Sequence, residues 1–273
     1  MIRISLVHYL NAAPLGWSFL HGPLKGRFEV TPSSPARCAE QLATGEVDVG
    51  IIPSIEYQRI PDLEVVPGIA IGATAKVRSV ILVRYRNTHE VRSVALDTNS
   101  RTSVALATLL LRRKMRLNPE FVHRAPDPSA MLRECDAALI IGDAALKVSP
   151  EEYEITDLAE AWVEWQDKPF VFAVWACRRD RNLPDDLAAV LQEAKEWGCG
   201  VRREIAGEYG KRLGLPQGFL EEYLRHNVDY DMTARHVEGL ERFYQLAFES
   251  GIISHLKPVR FLSTATKSSV RGF

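Results

Sequence analysis

The first apolar run of the chain, IRISLV (residues 2–7), gives way to HYLNAAPLG, so His8, Tyr9, Asn11 and Ala12 fall where a strand ends and a helix begins. In open parallel sheets ligands bind at that carboxyl end. The Asn11 amide both donates and accepts, which suits holding a hydroxyl or a carboxylate. It equally suits an Asx turn ahead of Pro14, and the residues alone leave both readings open. His8 by itself reads as packing against a neighbouring strand.

A richer cluster is DTNSRTSVALATLLLRR, in which a strand end runs through Asp97, Asn99 and Ser100 into a helix whose first turn holds Arg101, Thr102 and Ser103. The free amides and positive dipole of such a turn favour an anion by about 0.3–1 kcal/mol, and more when partly buried. The plainer reading is N-capping by Ser100. The turn IIGDAALK offers Gly142 for close backbone approach and Asp143 as a cap or polar contact. Arg78 and Ser79 lie on a connecting segment where a guanidinium or hydroxyl could face a cleft, though a surface arginine is as good a reading. Trp162 and Trp165, three apart on one helical face, point to packing rather than a stacking platform.

Several chemistries lack their motifs. The chain contains no GxxxxGK[ST] loop, GxGxxG turn, HExxH or GxSxG elbow, and Gly68 and Gly72 in GIAIGA make no dinucleotide fingerprint. Its seven histidines show no metal spacing with cysteine or carboxylate. The expectation is a site without metal, nucleotide, flavin or other cofactor.

The elements that must position these residues alternate: IRISLV, a helix opening at Pro14, FEVTP, a helix from Ser34 to Gly45, DVGII, and a helix from Pro53. Ser34 can cap the second helix with Pro35 at its first position, and Gly45 can stop it. This βαβ rhythm predicts α/β lobes with mainly parallel sheets flanked by helices. Two extended segments, LEVVPGIAIGA and VRSVILVRYR, precede a second alternating series from SVALD (93–97) to YEITDLAEAWVEW; FVFAVWACR (170–178) then reads as a strand, and the rest is helical to near residue 250. The expected organisation is lobe one from 1–88 plus 174–273, carrying the C-terminal helices, and lobe two from 89–173. Two crossings leave a ligand cleft between the lobes, where hinge closure excludes water. TATKSSVRGF reads as a polar tail.

Composition sets the outer bounds. With 273 residues, 46% apolar and 25% charged, the chain can build two cores, and disordered or fibrous classes drop out. Lys and Arg total 34 against 35 Asp and Glu, so no global field would hold nucleic acid or an acidic membrane, and an anion must be caught locally. The four cysteines, Cys38, Cys135, Cys177 and Cys199, lie far apart with no CxxC and read as buried, reduced thiols. No apolar run approaches a membrane span or a signal h-region, so the expectation is a cytoplasmic protein.

Taken in order, VHYLNAAPL, DVGIIPSIEY, VRSVILV, DTNSRTSVAL, LIIGDAAL and DLAEAWVEWQDKPFVFAVW resemble the chorismate dehydratases of the futalosine route to menaquinone. The resemblance covers most of residues 1–178. It implies the two-lobed fold of type II periplasmic binding proteins and cofactor-free loss of water from chorismate, a dianion, to give 3-[(1-carboxyvinyl)oxy]benzoate. It carries Asn11 and Ser79 over as the residues that touch the reacting ring or its carboxylates. Tyr9, Arg78, Thr102 and Ser103 are expected to bind substrate, with Ser54, Ile55, Gly142 and Asp143 as pocket wall. The family's first motif often has Ser where this chain has His8, which argues against His8 as a base. Two rivals stand beside this reading. One is the sister enzyme 1,4-dihydroxy-6-naphthoate synthase, which relies on a second-lobe histidine, here represented beyond that lobe's first strand by His123 alone. The other is a non-catalytic cytoplasmic binding protein for an aromatic carboxylate.

Overall fold

A computed structural model describes residues 1–263; the expected polar tail, 264–273, lies outside the described residues. The first series comprises β1 (Arg3–Val7), a 3-10 turn (Leu10–Ala12), α1 (Ala13–His21), β2 (Glu29–Ser33), α2 (Pro35–Thr44), β3 (Val49–Pro53), α3 (Ser54–Arg59) and β4 (Leu63–Ala73). The second comprises β5 (Val80–Tyr85), β6 (Ser93–Asp97), α4 (Thr102–Leu109), β7 (Glu120–Arg124), α5 (Pro128–Glu134), β8 (Ala137–Ile141), α6 (Gly142–Ala145), β9 (Tyr153–Asp157) and α7 (Leu158–Gln166). The chain returns through β10 (Phe170–Arg178) and continues into α8 (Leu187–Gly200), α9 (Arg202–Leu213), α10 (Gln217–His226), β11 (Asp229–Asp231) and α11 (Ala234–Glu249).

Local signals act where the residues place them. Ser34 accepts from the Arg37 amide at 3.3 Å, Pro35 opens α2, and Gly45 ends it in the left-handed region at φ 75°. β3 is buried along its whole length, as a strand covered on both faces must be, and its run VGIIP is correspondingly continuous in apolar residues. The long helical stretch after residue 184 breaks into α8 and α9 around Val201. Cys38, Cys135 and Cys177 are buried free thiols and Cys199 is half-buried; burial pushes the Cys38 thiol up to about 11 and Cys177 to about 12.

Two sheets form, ordered β11-β4-β10-β3-β1-β2 and β7-β6-β8-β5-β9. Both are mixed rather than mainly parallel. β1 runs parallel to β2 and β3, and β6 to β7 and β8, whereas β10 opposes β3 and β4, and β5 opposes β8 and β9. The cause is the crossings. β5 and β10 each begin at the cleft, just after the chain changes lobe, and run away from it, while their partners end there. The same fact moves the lobe boundaries. β5 belongs to the second sheet and all of β10 to the first, so the crossings occupy residues 74–79 and 167–169, and the boundaries expected at 88/89 and 173/174 are corrected. A large core runs through both lobes and a smaller one covers the outer face of the second sheet.

Candidate functional site in the cleft

The ends of β1, β3 and β8 and the starts of β5 and β10 meet around a cavity, closed on one side by the turn that opens α4. Of the residues expected at the site, Tyr9, Asn11, Thr102, Ser103 and Gly142 line it. Val7, Pro53, Ile71, Val80, Ile141 and Phe172 supply an apolar wall. The cavity therefore offers donors on one side and a hydrophobic face on the other, which suits a small anion with a flat apolar body.

Asn11 sits in the 3-10 turn after β1. Tyr230 donates its hydroxyl to the Asn11 main-chain carbonyl at 2.9 Å, while Asn11 Oδ1 is buried with no hydrogen-bond partner among the described residues. Buried polar atoms are rarely left so, because the lost hydration costs about 1–3 kcal/mol. Burial, and then the charges of Asp97 and Asp143, push the Tyr9 phenol up to about 12, so it stays a neutral O–H donor at physiological pH. Gly142 is required twice over. Its φ is +62°, and a Cβ there would stand 2.9 Å from Tyr9 Cδ2.

The α4 turn differs from plain capping. Arg101, not Ser100, occupies the N-cap position, and no side chain caps the helix, which leaves its first-turn amides for another acceptor. Thr102 Oγ1 accepts from the Ile55 amide across the cleft at 3.2 Å.

Five expected site residues do not line this cavity. Ser54 is buried and donates to the Val171 carbonyl at 2.7 Å, with Thr102 Oγ1 at 3.4 Å; the Ile55 side chain is buried in the core. Both support Thr102 from behind. Ser79 is fully buried and accepts from the Tyr223 hydroxyl at 2.7 Å, while its carbonyl accepts from the Gly142 amide at 2.8 Å. Arg78 stands at φ +61° with its amide held by Asp157 at 2.7 Å, and its guanidinium lies over Phe219 and beside Glu222, lining a separate groove. The Asp143 carboxylate accepts from the Leu10 amide and from Arg212.

Two residues of the strand-to-helix cluster were given no role of their own from the sequence. Arg101 is the one charged side chain on the cavity wall among the described residues, and it bonds Glu56 at 2.8 Å and Glu40 at 2.7 Å across the cleft. Asp97, at the end of β6, is buried with Oδ2 unpartnered among the described residues; burial raises its pKa, opposed by hydrogen bonds from Asn99. Its position at a strand end was the available signal. His123 is exposed on β7, an edge strand, and lies off the cavity wall. The described residues hold no group of three or more potential metal ligands.

Two mixed sheets, two crossings and a cavity between strand ends define the class of two-lobed α/β binding-protein folds. Solved structures of that fold agree. Protein AF1704 from Archaeoglobus fulgidus superposes with a TM-score of 0.74 at 20% identity, covering 92% of this chain and 98% of that one. The aliphatic sulphonate binding protein SsuA from Escherichia coli gives 0.63 at 17% identity, covering 99% and 96%. A family model described as "Menaquinone biosynthesis" matches residues 2–249, and the chain belongs to that family. A chorismate dehydratase from Thermus thermophilus is 34% identical over 258 residues, 88% of this chain and 93% of the relative; one from Campylobacter jejuni is 26% identical over 244 residues, 87% and 93%.

Proposed function

We propose that this chain is a chorismate dehydratase, a hydro-lyase that makes 3-[(1-carboxyvinyl)oxy]benzoate for the futalosine route to menaquinone and works in the cytoplasm without a cofactor. The observation that carries the reading is the 34% identity to the Thermus enzyme along 88% of the chain. The cavity supports it. Chorismate carries two carboxylates on a small ring, and the uncapped α4 turn with Arg101 beside an apolar wall is suited to such a ligand.

In this reaction the C–H bond at the ring carbon bearing the enolpyruvyl ether breaks, its electron pair enters the ring, and hydroxide departs from the neighbouring carbon. Proton and hydroxide together make one water, and aromatisation drives the step. The protein's part is orientation and neutralisation of charge. Asn11 hydrogen-bonds the departing hydroxyl or a carboxylate, Tyr9 donates, and Thr102 and Ser103 seat an anionic group. Ser79 acts through Gly142 and Tyr223, which it holds, rather than as a wall residue.

The test is incubation of purified protein with chorismate and no added cofactor, followed by ultraviolet absorbance and mass. A product lighter by one water supports the reading, stoichiometric binding without turnover favours a binding protein, and no interaction rejects chorismate as substrate. Asn11→Ala is expected to lower kcat by about 10²–10³-fold, in the range of a lost oxyanion donor. Ser79→Ala is expected to cost less. Full turnover by both variants would overturn these roles.

A further inference from the structure

The turn that carries Asn11 is gripped from the opposite lobe. Asp143, the residue after the wall glycine Gly142, reaches from lobe two and accepts the Leu10 amide hydrogen at 2.8 Å through Oδ1. Leu10 opens the 3-10 turn of which Asn11 is the middle residue, and an opening amide of a helical turn has no partner within the turn. The second oxygen, Oδ2, accepts from Arg212 of α9 at 2.9 Å. Arg212 stacks on the Tyr209 ring at 3.9 Å, and both reach the His8 carbonyl, Tyr209 at 3.1 Å and Arg212 at 3.4 Å. One carboxylate thus joins α6 in lobe two to the segment His8–Asn11 and to α9 in lobe one. The Asp143 side chain is only 15% exposed, whereas that of Arg212 is 51% exposed, so the carboxylate is the shielded member of the pair.

We infer that Asp143 is a positioning residue: it holds the Asn11 turn against the cavity from across the cleft, so the polar wall is complete only when the two lobes are joined at this point. Asp143 touches no reacting atom; it acts through the Leu10 amide, with Arg212 orienting its carboxylate. The kinetic arm of the test rests on the chorismate dehydratase reading, and the exchange arm does not.

Asp143→Ala, Asp143→Asn and Arg212→Gln are compared after thermal melts establish that each is folded. Asp143→Ala is expected to lower kcat about 100-fold with KM changed less than about threefold, because a small misplacement penalises the chemical step more than binding. Asp143→Asn keeps an oxygen for the Leu10 amide and is expected to recover to within about tenfold of the parent, with Arg212→Gln in the same range. In parallel, hydrogen exchange at the Leu10 amide should accelerate in Asp143→Ala and stay near the parent rate in Asp143→Asn. Unchanged Leu10 exchange in Asp143→Ala overturns the proposal whatever the substrate, and so does a loss confined to KM or equal in the Ala and Asn variants. Inactivity of the parent on chorismate would reject the functional reading alone, leaving the Leu10 exchange to decide the role of Asp143.

Discussion

Asn11 and Asp97 each bury an oxygen that finds no partner among the described residues, but the two situations differ in chemistry. An amide oxygen loses only its hydration, whereas a carboxylate that loses hydration also raises its own pKa. Because the folded state holds the Asp97 proton more tightly than the unfolded chain, the charged form is a penalty on folding. That penalty is absent below the unfolded carboxylate pKa of about 3.9, grows as pH rises to the raised folded value, and is constant above it. Asp97→Asn keeps an acceptor for the Asn99 amide, bonded at 2.8 Å, and removes the charge. Its Tm should exceed that of the parent at neutral pH, with the gap closing as the pH is lowered; a gap unchanged between pH about 4 and about 8 would show that folding does not raise the Asp97 pKa.

The site depends on helices that never touch it. α8 crosses α1 so closely that a Cβ on Gly198 would stand 1.9 Å from the Pro14 carbonyl oxygen, three residues beyond Asn11. Backbone cannot yield there as a flexible side chain would. Gly198→Ala is expected to cost about 1–3 kcal/mol in overpacking, read by denaturant titration, and to lower turnover by tilting α1 and the turn before it. The first crossing is the second such element. Asp157 accepts the amides of Val77, Arg78, Ala159 and Glu160, so one buried carboxylate joins the outgoing chain to the start of α7. Arg78 is held at positive φ by this clamp and not by any cleft contact. Arg78→Gly relieves that backbone geometry and is expected to leave KM within about twofold, whereas a direct substrate contact would raise it far more.

Across the whole molecule, the two lobes close one cavity with groups from both. Arg101 bonds Glu40 and Glu56, Thr102 meets Ile55, and Asp143 meets Leu10 and Arg212, all across the cleft. A ligand seated between them binds the folded chain and not the unfolded one. At about 100 times its Kd it should add roughly 2.7 kcal/mol, which for a chain of this size raises Tm by about 5–10 °C. Differential scanning with chorismate, or with the aromatic product, checks this; no shift at saturating ligand would mean that the cavity is not the binding site.

Much of the fold was legible because its signals are short-range. Ser34, Pro35 and Gly45 bound α2, and the run FVFAVWACR is β10, residue for residue. Asn11, Tyr9, Thr102, Ser103 and Gly142 were legible as site candidates for the same reason: each sits where a strand hands over to a helical turn, and such ends gather at one edge of a sheet. The sequence by itself determined the elements, the two-lobed class and those strand ends. Only the tertiary structure decided which neighbouring residues turn away from the cavity. Ser79 is taken by Tyr223, 144 positions along the chain, and Leu10 by Asp143, 133 positions along. It also decided which sheet β5 joins, and so where the lobes divide. Helix caps and strand patterns are settled within a few residues, whereas a side chain's partner and a strand's sheet depend on which distant elements the crossings bring alongside.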